Sequence, residues 1–180
     1  MSESYIETFT GVKFDIIDTR PEMIQIDDVA HALSQANRFT GHAMFPYSVA
    51  QHSLLGSYLL DDKKKAFRFL NHDDSEAFIG DMNRPLKHFT RAGEEYRKVE
   101  EPLQTMIYNR FGIYGPDPDY IHVVDNMMLY AEKAALFAEG SPAFHIKWSD
   151  EKAADVKIVE MNWRDVKRLW LRRFYELYNQ

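Results

Sequence analysis

The sequence contains no cysteine. That excludes disulfide frameworks, thiolate metal sites and cysteine nucleophiles, and it suits a reducing cytoplasm. No run of about 18 apolar residues occurs, so no membrane span is expected. The opening stretch, MSESYIETFTG, lacks the basic start and apolar middle of a signal peptide. Positive charge is in deficit: 22 Lys and Arg stand against 28 Asp and Glu, for a net charge of −6. Broad binding to duplex nucleic acid rests on phosphate neutralisation and is not expected, although a small basic pocket fits within an acidic protein. Internal repeats, low-complexity segments and interdomain linkers are also missing. The expectation is a single cytoplasmic domain over residues 1–180.

What is present is enough apolar surface for a core. Hydrophobic residues make up 45% of the 180 and aromatics 14%, which argues for a packed fold rather than disorder. Residues 5–18, around Gly11, read as a small β-hairpin or extended flap. From Ile26 the apolar period becomes helical, with Asp27 or Asp28 as cap and Arg38 at the helix end. Gly41 and Pro46 mark a loop, and Ser48 caps a second helix whose apolar stripe includes His52 but leaves out Gln51 and Ser53. A third helix is expected over 62–79, favoured at its start by Asp61 and Asp62 and stopped by Gly80. Arg84-Pro85 marks a turn. A polar helix over 90–111 starts at Thr90 and is kinked or split by Pro102. Another helix runs from Asp119 to about Glu139. The stretch GSPAFHIKWS reads as irregular, and a last helix spans about Asn162 to Tyr178.

Polar residues on these inward stripes carry the chemical signal. His52, the His72-Asp73 pair and Asp125 arrive from three separate helices. Two imidazoles and two carboxylates suit a divalent ion such as zinc, cobalt, manganese or iron. Four protein ligands leave coordination positions open, which marks a catalytic rather than a structural site. Glu76, one turn after His72, can manage a proton on water, and Asp81 can hold that water or a substrate hydroxyl. The fork of Arg38 can clamp a phosphate or bond its own helix end, and Lys87 is a second cation nearby. His42 lies in the loop before His52, within reach of a substrate or on the surface. His31, His88, His122 and His145 read as structural or solvated, although His122 comes one turn before Asp125. Lys63 to Lys65 read as a solvated helix start. Asp74 follows the ligand pair on the opposite face and is expected in solvent.

The order H, HD, D over His52, His72-Asp73 and Asp125 resembles that of the HD-domain metal-dependent phosphohydrolases. Arg38 with an aromatic after it, YSVAQHS around His52, HDDSEAFIGD and RPLK are similar to the small 5′-deoxynucleotidase branch, including phage dATP triphosphohydrolases. The likeness covers roughly residues 10–135. It implies an all-α HD helical bundle; the C-terminal helices over 136–180 fall outside the likeness and are expected to pack on that bundle. It implies His52, His72, Asp73 and Asp125 as metal ligands, Glu76 and Asp81 near the attacking water, and Arg38 on the phosphate. Phe39, Lys87 and His42 fall at the substrate. Phe39 stands where a tryptophan is often found, and Asn71 where a small or aromatic residue is expected, so both bear on pocket shape.

The implied activity is removal of the 5′ phosphate from a 2′-deoxynucleoside monophosphate. Alternatives are a dATP-type triphosphohydrolase, with a second ion such as magnesium, and a nucleotide or metal sensor without turnover. A sensor has no need of Glu76 and Asp81. The implied partners are a deoxynucleotide and further copies of the chain, with no membrane.

Overall fold

The computed structural model describes residues 4–142 and 152–178. It is mostly helical, with one two-stranded antiparallel hairpin at the N-terminus, so the all-α expectation with a short hairpin is met. Strand β1 (Tyr5–Glu7) pairs with β2 (Lys13–Asp15) in the register Tyr5↔Asp15, Ile6↔Phe14 and Glu7↔Lys13. Alternation sends Phe14 inward, where its ring stacks on Phe78 at 3.9 Å. The hairpin turn is tied down at Thr10, whose backbone N–H and hydroxyl donate to the two oxygens of Asp28 at 2.7 and 2.8 Å. Asp28 therefore anchors the hairpin rather than capping α1 (Ile26–Leu33), whose cap position is Gln25.

Helix α2 (Val49–Ser57) is the central element. Ser48 caps it by accepting from the N–H of Gln51. The expected one-sided stripe gives way to burial all round, because Gln51 and Ser53 are enclosed along with His52. Small residues make this enclosure feasible: Trp170 donates its indole N–H to the Ser53 hydroxyl at 3.0 Å, and Arg173 donates to Ser57 at 3.2 Å. Both partners come from α8 (Trp163–Tyr178), which packs on α1, α2 and α3 with Val166, Trp170, Phe174 and Leu177 inward. At Gly56 a Cβ would collide with the ring of Phe69 on α3 (Lys63–Leu70). Asp62, expected to favour the start of α3 by its charge, also caps it by accepting from the N–H of Lys65, and Lys63 to Lys65 are exposed.

The third helix is shorter than expected. It stops at Leu70, residues 71–75 form turns, and a one-turn α4 (Glu76–Ile79) follows before Gly80. The reason is local chemistry: Asn, Asp and Ser compete with the helix for their own backbone groups. Here Asn71 donates its side-chain amide to the Phe67 carbonyl at 2.7 Å. Gln104 on α6 (Arg91–Arg110) brackets the turn by accepting from the N–H of Ser75 and donating to the Asn71 carbonyl, at 2.9 and 2.7 Å.

Arg84-Pro85 opens a short helix, α5 (Arg84–Phe89), where proline at the first turn sacrifices no helical bond. Thr90 caps α6, which continues as one helix through Pro102. Helix α7 (Asp119–Leu136) packs against α2. The GSPAFHIKWS segment and His145 lie largely outside the described residues, as 143–151 are not among them. Among the described residues, no helix is long and apolar enough to cross a membrane.

Candidate functional site

Three inward positions converge. One ligand atom each from His52 on α2, and from His72 and Asp73 in the turn after α3, lie within 4.8 Å of one another. Asp73 Oδ2 is 3.3 Å from His72 Nε2 and 4.0 Å from His52 Nε2. Asp125 arrives from α7, with Oδ1 3.2 Å from His52 Nε2. His72 and Asp73 reach this point from a turn, not from a helix face. The turn itself sets the ring, because His72 Nδ1 sits 2.7 Å from the Phe69 carbonyl, which only an N–H can satisfy.

The same logic applies to His52. Its Nδ1 lies 2.5 Å from Oε1 of Glu132, a residue 0% exposed on α7. Both imidazoles thus commit Nδ1 as a donor and aim Nε2 inward, which is the orientation a metal ligand needs. His52 Nε2 is buried and has no hydrogen-bond partner. An orphaned basic nitrogen beside two carboxylates fits a divalent cation with nitrogen and oxygen donors. Burial and the Arg38 charge push the His52 pKa down, but Glu132 and Asp125 prevail and raise it to about 9. Burial would raise the Asp125 carboxyl, yet His52, Arg38 and His72 hold it below the usual carboxylate range.

His72, Asp73 and Asp125 floor a cavity of about 920 Å³, with His52 buried behind them. Arg38 lies after α1, at the start of a 3-10 turn over Arg38–Gly41, rather than at the helix end. Its Nε and Nη2 face Oε2 of Glu132 at 3.3 and 3.2 Å, and its Nη1 is 3.7 Å from Asp73. Phe39 and Thr40 follow in left-handed backbone, φ 57° and 55°, which is strained for residues with a Cβ. Phe39 lines the cavity and meets the edge of Phe137 at a centroid distance of 5.2 Å.

Glu76 and Asp81 line the same space. Burial first, then the charges of Asp73 and Asp81, push the Glu76 carboxyl well above its ordinary range, and its Oε2 has no partner. Burial also raises Asp81. Lys87 reaches the cavity with Nζ paired to Glu100 at 2.7 Å. Its carbonyl accepts from Arg97, and Gly93 lets α6 approach it closely. His88 and His122 are exposed, in keeping with the solvated reading, and both also border the cavity, as His122 could from its place one turn before Asp125. His42 is exposed and lines no part of the cavity, and neither do Lys63 to Lys65. His31 stacks on Phe9 at 3.9 Å, a structural role as expected.

Two residues escaped the reading of the sequence. Glu132 was visible only as one more member of the α7 stripe, although it falls seven residues after Asp125, two turns along the same face. Asp74 was expected in solvent. It is instead 0% exposed with neither oxygen hydrogen-bonded, and burial followed by the Asp73 charge pushes its carboxyl well above the usual range. The helix face that would have carried it outward does not exist once residues 71–75 form turns.

No family model matches the chain. It is 35% identical over 133 residues to the Uncharacterized protein YfdR of Escherichia coli (strain K12), covering 74% of this chain and 72% of that protein. The chain belongs to the family of YfdR. It is also 31% identical over 121 residues to the Uncharacterized protein RCAP_rcc00048 of Rhodobacter capsulatus, covering 63% of this chain and 61% of the relative.

Proposed function

We propose that this chain is an HD-type, divalent-metal-dependent phosphohydrolase that removes the 5′ phosphate from small 2′-deoxynucleotides in the cytoplasm. The observation that carries the proposal is the meeting of His52, His72, Asp73 and Asp125 beneath a cavity whose wall holds Arg38, Glu76, Asp81 and Lys87. His52, His72, Asp73 and Asp125 would hold zinc, cobalt or manganese, in keeping with their nitrogen and oxygen donors. When bound, such an ion polarises a phosphoryl oxygen and makes water more acidic.

The chain's own groups supply the rest. Arg38 turns Nη1 toward the phosphate, and Lys87 offsets charge on a second oxygen. Asp81 holds the attacking water by one hydrogen. Glu76, raised by burial, takes the other proton as the oxygen bonds to phosphorus. The P–O5′ bond breaks, and the sugar oxygen leaves with a proton returned from Glu76. Phe39 offers a ring face for the base.

A second reading draws on one feature of the wall. Its cationic lining continues past Lys87 to Arg84, room that a polyphosphate chain would use. That favours a dATP-type triphosphohydrolase, with magnesium as a second ion. Incubating deoxynucleoside mono-, di- and triphosphates with zinc, cobalt, manganese and magnesium, and separating the products, distinguishes the two. Deoxynucleoside with inorganic phosphate supports the first, and deoxynucleoside with triphosphate supports the second. Tight nucleotide binding without turnover under any metal sinks both and leaves a sensor. Light scattering on the purified chain tests the accompanying expectation of a homo-oligomer.

A further inference from the structure

We propose that Glu132 is a positioning residue whose single carboxylate sets both the metal-facing tautomer of His52 and the phosphate-facing edge of Arg38. The inference deepens the phosphohydrolase reading and rests on it. A carboxylate 0% exposed is costly unless both oxygens are used, and here each has a different task. Oε1 accepts from His52 Nδ1 at 2.5 Å. Oε2 accepts from Arg38 Nε at 3.3 Å and pairs with Nη2 at 3.2 Å.

The consequences run in two directions from one group. With Nδ1 committed as a donor, His52 must present Nε2 to Asp125 and Asp73, which lie 3.2 and 4.0 Å away. With Nε and Nη2 committed, Arg38 keeps Nη1 for the cavity, 3.7 Å from Asp73. Glutamine cannot replace this arrangement. It has one acceptor oxygen, so its amide N–H₂ must face either the histidine N–H or the guanidinium, donor against donor. The metal end and the anion end therefore share a hinge. Disturbing Glu132 loosens both at once.

The test uses the full chain stripped of metal and titrated with cobalt(II), followed by its visible absorption, with inorganic phosphate as anion probe by calorimetry on the cobalt-loaded form. In Glu132→Gln, cobalt affinity is expected to fall about 10–100-fold, the usual size for losing a partner behind a metal ligand, and phosphate affinity to fall with it. Met128→Ala removes buried volume from the same helix. It is expected to lower the melting temperature while leaving both affinities in place. Wild-type cobalt affinity in a folded Glu132→Gln overturns the inference. Should that variant not fold, nitrogen-15 NMR of the zinc-loaded wild type decides the matter: His52 protonated at Nδ1 supports the role, and a proton on Nε2 overturns it. A wild-type chain that binds no divalent metal sinks the phosphohydrolase reading and this inference together, while unaffected binding in the variant sinks only the inference.

Discussion

The floor and the mouth of the cavity are held by different means. On the floor, each imidazole is fixed through the nitrogen that faces away: His52 by Glu132 and His72 by the Phe69 carbonyl. Those acceptors belong to the core and cannot move without repacking it. At the mouth, the groups are held by one another or by strained backbone. Lys87 leans on Glu100, and Phe39 sits in a left-handed turn with Thr40. The contrast teaches that the chemistry of such a site is preorganised, while its selectivity is left to parts that can be re-aimed at small cost.

The sharpest way to break the comparison is at the floor. Asp73→Ala or His72→Ala is expected to remove bound metal and reduce hydrolysis to background, measured by elemental analysis beside a phosphate-release assay. Full turnover from metal-free Asp73→Ala would falsify the mechanism. One step up the wall, Glu76→Gln should keep the metal and lose about 10²–10⁴-fold in kcat, the range for general acid–base work. If kcat holds and only KM moves, Glu76 is a binding group.

At the mouth the effects shrink. Phe39→Ala is expected to cost about 1–3 kcal/mol of base stacking, read as a higher KM with kcat nearly intact. An unchanged KM across several bases would place the base elsewhere. The smallest effect concerns Asp74, which belongs to neither end. Its carboxyl is raised by burial, so the native state keeps a proton that the unfolded chain releases. Stability should therefore fall as pH climbs from the ordinary carboxylate range toward the raised value. Asp74→Asn, which cannot titrate, is expected to flatten that slope and to lose less stability than the wild type as pH rises. Thermal melts of both chains at acidic and neutral pH give the answer. An identical slope in the variant means that another group carries the proton.

How much of this was legible in the sequence depended on the kind of signal each residue sends. Caps were readable because their chemistry is local: Ser48 and Thr90 each accept the bond expected of them, and Asp62 caps the helix start its charge was expected to favour. His52 stood out as a polar residue at an apolar position, although the stripe that marked it dissolved once α2 proved buried on every side. The long third helix failed because periodicity was allowed to outweigh Asn71, Asp73, Asp74 and Ser75, which favour turns. Glu132 was hidden for a different reason. Its partners lie 80 and 94 residues away in the chain, and no local pattern encodes such a meeting. Arg38 was assigned to a helix end because nothing in its neighbours announces consecutive left-handed residues other than Gly41.

The contact at Gly56 has a further consequence. The ring of Phe69 fills the place where a side chain would be, and on its other side it stacks on His72 at 4.3 Å. The carbonyl of that same phenylalanine holds the histidine's proton. A single methyl group added at Gly56, behind the wall of the cavity, would press on the ring and tilt the imidazole beyond it. Mutational tolerance around this centre should thus be lopsided: generous at the open rim, where side chains have room, and nearly nil at a glycine that no substrate could ever touch.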